Sequence, residues 1–301
     1  MANSDTYVLY QYTPSLVAAI LLAVLFGLTT IFHLYQRIKT HAQYFNPFIV
    51  GGIFEIIGYG ARAVSHFSEN STIAYAMQSL FLLLAPILFA ASIYRVLGRV
   101  ITFLHGEHLS YVSVRWMTRI FVGGDILSFI IQAAGGGIMT GKSVTDVNIG
   151  SWIIVGGLCV QLLSFGAFLI TSLIFHWKIN QNPTPEGEQS KRTWPAIVPR
   201  DWRGLLFACY SVSILILVRS IYRVVEFAQG NNGYLISHEV FLYVFDAALM
   251  FMVMIIMNVL HPSVVLQKKK VSNHEPKPVR WTSDSDMQSQ SRDESFEVTA
   301  V

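Results

Sequence analysis

Seven mostly apolar stretches recur along the chain, at about 15–35, 48–66, 74–96, 120–141, 151–176, 204–225 and 240–260, with short polar connections between them. A helix needs roughly 20 such residues, at about 1.5 Å each, to cross the hydrocarbon core of a bilayer. The pattern therefore predicts an all-α fold, a polytopic membrane bundle of seven transmembrane helices. The second stretch is the least apolar, because it carries Glu55 and Arg62. Pro86 lies inside the third and predicts a kink. Gly135, Gly136, Gly137 and Gly141 end the fourth stretch, and Gly156 and Gly157 lie in the fifth. These glycines predict close helix contact.

The polar connections set the orientation. Cytosolic segments of membrane proteins are enriched in Lys and Arg. With the N-terminus outside, 17 of the 21 Lys and Arg residues fall in cytosolic segments, and the outer loops hold only Lys142 and Arg223. The expected organisation is a short extracellular segment (1–14), a seven-helix domain (15–262) and a disordered cytosolic tail (263–301) rich in Lys, Ser, Asp and Glu. Lys268, Lys269 and Lys270 follow the last span as a stop-transfer cluster in reach of anionic lipid. A polar linker spans 177–203. The sequon Asn70-Ser71-Thr72 falls in a predicted outer loop, so Asn70 is a candidate glycosylation site.

Composition agrees and narrows the function classes. Of 301 residues, 53% are apolar and 13% charged, and the mean hydropathy is +0.48. The charged share is about half that of an ordinary soluble domain. A net charge of +3 gives no reason to expect a nucleic-acid partner. Cys159 and Cys209 both lie in apolar runs and predict reduced packing residues. No three His, Cys, Asp or Glu residues have metal-ligand spacing, so no metal or cofactor is expected. Gly136–Ser143 reads GGIMTGKS and fits a phosphate-loop pattern. That mechanism needs a strand before the loop and a helix after it. Here the match lies at the outer end of a membrane helix, which is not expected to resume before about Ser151.

Ionisable groups inside the membrane are costly and mark functional sites by default. Glu55, Tyr59 and Arg62 stand at i, i+4 and i+7 on the second helix, and Asp125 and Gln132 at i and i+7 on the fourth. Arg219, Arg223 and Glu226 repeat the spacing on the sixth, and Glu239, Tyr243 and Asp246 on the seventh. Residues so spaced share one helix face. Lipid cannot solvate them, so each stripe must face the bundle interior. With Gln161 near mid-depth on the fifth helix, most of these groups converge on the outer half of the bundle. Glu55, Arg95 and Asp125 form a smaller set nearer the cytosol. A water-accessible cavity open toward the outer leaflet is the expectation. The bland alternative is structural pairing, of Arg62 with Glu55 or Asp246 and of Arg223 with Glu226 or Glu239. His33, His238 and His261 read as interfacial or capping residues.

Several local motifs together resemble one known family. They include Tyr12-Thr13-Pro14-Ser15, Glu55-Ile56-Ile57-Gly58-Tyr59 with Arg62, and Gln78 with Leu84-Ala85-Pro86. Ala90-Ala91-Ser92-Ile93-Tyr94 follows, then Phe121, Asp125, Ser128 and Gln132 before the glycine triplet, then Gly157-Leu158 with Gln161 and Phe165. Arg219, Tyr222, Arg223, Glu226, Gly230, Gly233, Glu239, Tyr243, Asp246 and His261-Pro262 complete it. Over about 12–262 the chain resembles the fungal RTA-like, or lipid-translocating exporter, family. The resemblance implies a seven-helix plasma-membrane protein. Members are linked to release of, or resistance toward, sphingoid long-chain bases, sterol-like toxins and other amphiphiles, and one to porphyrin transport.

A physical account of that link places the amine of a long-chain base on Asp246, Glu239 and Glu226. Its hydroxyls would lie on Gln132, Gln161 and Tyr59, and its tail would leave between helices into lipid. The expected partner is thus an amphiphilic lipid or toxic small molecule, met among membrane lipids. The competing class is a seven-helix lipid sensor or regulator, signalling to cytosolic partners or assisting ATP-driven flippases. An intramembrane hydrolase would need helix-borne His ligands that the interior lacks, so no enzyme is expected.

Overall fold

The structure, a computed structural model, describes residues 12–68, 71–110, 112–139, 143–182, 184–185, 202–230 and 233–266. Asn70, Gly141, Lys142, most of the 177–203 linker and the tail from Gln267 lie outside these residues, and the expectations attached to them are not addressed. The described residues are helical, with no strand among them.

Seven helices are long and apolar enough to cross a membrane. They are α1 (Leu16–Thr40), α2 (Asn46–Phe67), α3 (Thr72–Phe103), α4 (Val114–Met139), α5 (Val144–Gln181), α6 (Trp202–Ala228) and α7 (Glu239–Val259). A short helix α8 (Ser263–Leu266) follows. Local chemistry explains several ends. Ser15, Ser71 and Ser143 are N-caps whose hydroxyls accept the amides of Ala18, Ala74 and Thr145. Pro47 occupies the first turn of α2, where its missing N–H costs nothing. α5 therefore begins at Val144, earlier than its apolar run suggests. Its first turns, with Thr145, Asp146 and Asn148, are helical but polar.

Burial reports each helix's place. In its most apolar window α3 is 72% buried, while α1 is 22% buried, so α3 is central and α1 peripheral. The core is built from Phe26, Phe48, Phe89, Ile93, Leu97, Met250 and Met254. Leu21, Val24, Leu28, Leu163, Ile170, Phe207 and Ile214 are exposed. Such an apolar outer face suits lipid, not water. Trp116, Trp152 and Trp177 stand exposed near helix ends, where membrane proteins carry aromatic belts.

Three expectations are corrected. Arg223 belongs to no loop: it is buried within α6, which runs to Ala228. His33 is a core residue, fully buried, with Nε2 3.1 Å from the Met254 carbonyl oxygen and its ring against Phe45 and Phe48. Cys159 is exposed on the bundle surface, while Cys209 is buried as expected. The glycines divide. A side chain at Gly135 would come within 2.7 Å of the Gly150 carbonyl oxygen, and one at Gly157 within 3.0 Å of that of Ser128, so α4 and α5 approach closely there. Gly136, Gly137 and Gly156 have nothing within 4 Å of such a Cβ. The phosphate-loop match is preceded by helix α4, not by a strand.

Candidate functional site

The stripes of α2, α6 and α7 meet at the end of the bundle where α1 begins. Arg62 donates from Nη2 to Glu239 Oε1 at 2.7 Å and to the Tyr12 hydroxyl at 2.9 Å, and from Nε to the Tyr243 hydroxyl at 3.2 Å. Tyr243 in turn donates to Glu239 at 2.7 Å. Two turns along α7 from Glu239, Asp246 takes two guanidinium groups, Arg219 Nε on one oxygen and Arg223 Nη2 on the other, the latter at 2.8 Å. Arg223 Nη1 reaches Glu226 at 2.7 Å, and Tyr222 donates to the second Glu226 oxygen. All three arginines are buried.

Two backbone irregularities shape this network. Pro86 has no N–H, so the Leu82 carbonyl, four residues earlier, lacks its helical donor. Arg219 Nη2 donates to that carbonyl at 2.7 Å. Within α7, residues Tyr243–Ala247 form a π-helical segment, holding both Tyr243 and Asp246. Such bulges re-aim side chains and occur frequently at functional sites.

The other expected residues do not all join. Glu55 is buried, lies within electrostatic reach of Asp246, Arg219 and Arg223, and has an Oε1 without a hydrogen-bond partner. It sits with the main cluster and not in a separate cytosolic set. Tyr59 stacks on Phe26, its hydroxyl unpartnered. Asp125 is separate, accepting from Tyr94 at 2.8 Å beside Phe121, Phe165 and Phe168. Arg95, expected beside it, is exposed. Gln132 and Gln161 bond each other at 3.1 Å, and Gln132 also donates to Ser128, which donates to the Gly157 carbonyl. These four residues tie α4 to α5 beside their glycine contact.

Two neighbouring cavities open at the same end of the bundle. A polar one of about 70 Å³ is lined by Tyr12, Arg62, Gln78, Ser79, Arg223 and Glu226, among others. An apolar cleft of about 190 Å³ runs between α3, α4 and α5, past Leu80, Ala133, Gly136, Gly137 and Ile154. Tyr75, Ser79, Leu83 and Phe227 line both. A Cβ at Gly136 or Gly137, both of which line this cleft, would meet open space.

Residues 48–269 match the family model described as RTA1 like protein. The chain belongs to the RTA1 like family. Within it, the chain is 36% identical to protoporphyrin uptake protein 1 of Saccharomyces cerevisiae, over 86% of this chain and 94% of that one. It is 34% identical to the probable lipid transporter atnI of Emericella nidulans, over 86% and 68% of the two chains. It is 28% identical to the sphingoid long-chain base transporter RSB1 of Saccharomyces cerevisiae, over 90% and 77%. No solved structure matches. This RTA1-like protein is an integral membrane protein.

Tyr12 and Tyr222 enter the polar network, and Tyr94 the separate pair with Asp125, although their sequence positions had not marked them as site residues. Tyr94 stands in a largely apolar stretch, where a tyrosine reads as packing, and Tyr222 lies between Arg219 and Arg223, whose charges drew the attention. Tyr12 stands before the first span. Burial holds its phenol above the usual range, so it is protonated at neutral pH.

Proposed function

We propose that this protein moves amphiphilic lipids through the membrane, with the head group in the polar cavity and the tail in the adjoining cleft. The observation that carries the reading is the shared wall of the two cavities, one polar and one apolar. The names of two relatives, a probable lipid transporter and a sphingoid long-chain base transporter, support it. The finer reading is export of sphingoid long-chain bases or sterol-like toxic compounds at the plasma membrane, conferring resistance, with no catalysis. The Lys and Arg distribution supports an outside N-terminus, which sets both cavities at the outer leaflet.

Arg62, Gln132, Arg223 and Glu226 are the proposed binding residues closest to a ligand, since each lines one of the cavities. Glu55, Tyr59, Arg219, Glu239, Tyr243 and Asp246 support them, and Gln161 holds Gln132. Asp246 is a poorer choice for holding an amine than its charge suggests, because two arginines already engage both its oxygens.

The test is reconstitution in liposomes carrying a fluorescent long-chain base in one leaflet. Movement to the other leaflet above empty liposomes, reduced by a cleft-filling Gly136→Leu substitution, is expected. Saturable binding without movement would favour a lipid sensor or a flippase helper instead.

A further inference from the structure

The polar cavity has an imbalance of donors over acceptors. Its lining carries two guanidinium groups, Arg62 and Arg223, and one carboxylate, Glu226. Both oxygens of Glu226 are engaged, one by Tyr222 and one by Arg223. Arg223 uses Nη1 and Nη2, but its buried Nε has no acceptor. Arg62 donates from Nε to Tyr243 and from Nη2 to Tyr12 and Glu239. The Tyr12 hydroxyl accepts from Arg62 and still has a proton to give. Behind this lining, Asp246 and Glu239 are each tied to arginines, and Glu55 faces Asp246. Among the described lining residues the one carboxylate, Glu226, is already paired with Arg223, so a cationic head group meets no unpaired negative charge there.

Unpaired guanidinium donors in a low-dielectric interior are costly, and each calls for an acceptor. Guanidinium recognises oxyanions in particular, through its planar fork of N–H groups. The apolar cleft sets the rest of the ligand. At about 190 Å³ it is smaller than the roughly 300–1,000 Å³ of sites that enclose drug-sized molecules, so it suits a slim chain. Leu80 and Gly137, both exposed, give it a mouth on the bundle surface.

From this juxtaposition we infer that the site selects single-chain amphiphiles with an oxyanionic head, a carboxylate or phosphate monoester, held by Arg62, Arg223 and Tyr12 while the chain lies along Gly136 and Gly137. The inference rests on the amphiphile reading above and narrows it. A long-chain base would meet the same donors with its hydroxyl oxygens, and its ammonium group would find no open partner.

The experiment uses the full-length protein in phosphatidylcholine nanodiscs and titrates four probes of equal chain length: hexadecyl phosphate, palmitate, hexadecylamine and hexadecanol. Inorganic phosphate is the chain-free probe. The two anions are expected to bind at least about tenfold tighter than the amine. Gly136→Leu adds bulk where nothing stands within 4 Å of the new Cβ. It should weaken all four amphiphiles and leave the thermal unfolding midpoint unchanged. Tyr12→Phe should weaken the anions and not hexadecylamine, and it keeps the test open if arginine variants do not fold. Amine binding equal to or tighter than anion binding overturns the inference and leaves the transport reading standing. Inorganic phosphate binding as tightly as hexadecyl phosphate, unaffected by Gly136→Leu, overturns it in favour of a free-anion site. Binding of none of the four amphiphiles overturns the inference and the transport reading together.

Discussion

Asp246 shows what a single buried charge does here. It accepts from Arg219 and Arg223 across the contact between α6 and α7, so its removal strands two guanidinium groups in a low-dielectric interior. Breaking one partner of such a buried pair costs about 3–5 kcal/mol. Asp246→Asn should therefore lower the thermal unfolding midpoint in mild detergent sharply. Glu239→Gln should cost less, because Glu239 is partly exposed and Arg62, though buried, keeps the Tyr12 and Tyr243 hydroxyls as acceptors. Equal losses in the two variants would show that burial does not rank these charges. His261 offers a pH readout at the opposite end of the bundle. Burial holds its imidazole down at about 4, against an ordinary value of 6.5, and its Nδ1 lies 2.6 Å from the Ser263 hydroxyl oxygen. A depressed histidine favours the neutral ring in the folded state. Its contribution is complete above pH 6.5 and is lost as the pH falls toward 4. Between pH 6.5 and 5 about 2 kcal/mol should disappear, and His261→Asn should flatten that slope in thermal unfolding.

Helix elements follow rules of length and contact that differ in how far a sequence exposes them. Gly157 admits α4 to within van der Waals contact of α5, and Gly136 faces an open cleft, although both read alike as small residues in apolar runs. Gly157→Leu should thus separate the helices, break the Gln132–Gln161–Ser128 bonds and cost about 2 kcal/mol or more, while Gly136→Leu leaves the unfolding midpoint near that of the parent. Unfolding of the two variants side by side decides it. The seven spans were legible because crossing a membrane imposes a length, and the stripes were legible because lipid forces polar faces inward. The pairings were legible only in part: Arg223 took Glu226, one of its two expected partners. Arg62 was expected on Glu55 or Asp246 and found Glu239, since partner choice depends on how each helix is rotated about its axis. The π-helical segment of α7 has no mark in composition. Pro86 was read as a kink, yet its effect on the site is the Leu82 carbonyl it leaves for Arg219. That carbonyl acquires meaning only once α6 is known to lie against α3.

Across the whole molecule, the network at one end is covered by the segment that precedes α1. Tyr12 receives Arg62, with the guanidinium 5.6 Å from its ring centroid. The Pro14 carbonyl oxygen lies 2.8 Å from His66 Nδ1, and the Ser15 amide donates to Glu239 at 2.9 Å. Three anchors in four residues fasten this strap to α2 and α7, and Tyr12 lines the polar cavity itself. If the strap restricts entry, loosening it at Tyr12 opens the cavity without touching the helices. In a background lacking Cys159 and Cys209, a Ser79→Cys probe in the wall shared by both cavities should react slowly with a membrane-impermeant thiol reagent. Adding Tyr12→Ala should raise that rate about tenfold, as expected for exposing a local site whose opening had cost about 1.4 kcal/mol. With the N-terminus outside, as proposed from the Lys and Arg bias, the acceleration should appear with reagent outside intact cells and not with reagent confined to the cytosolic face. An unchanged rate would show that the strap is a passive anchor, and acceleration from the cytosolic side alone would invert the topology on which the reading of the cavity rests.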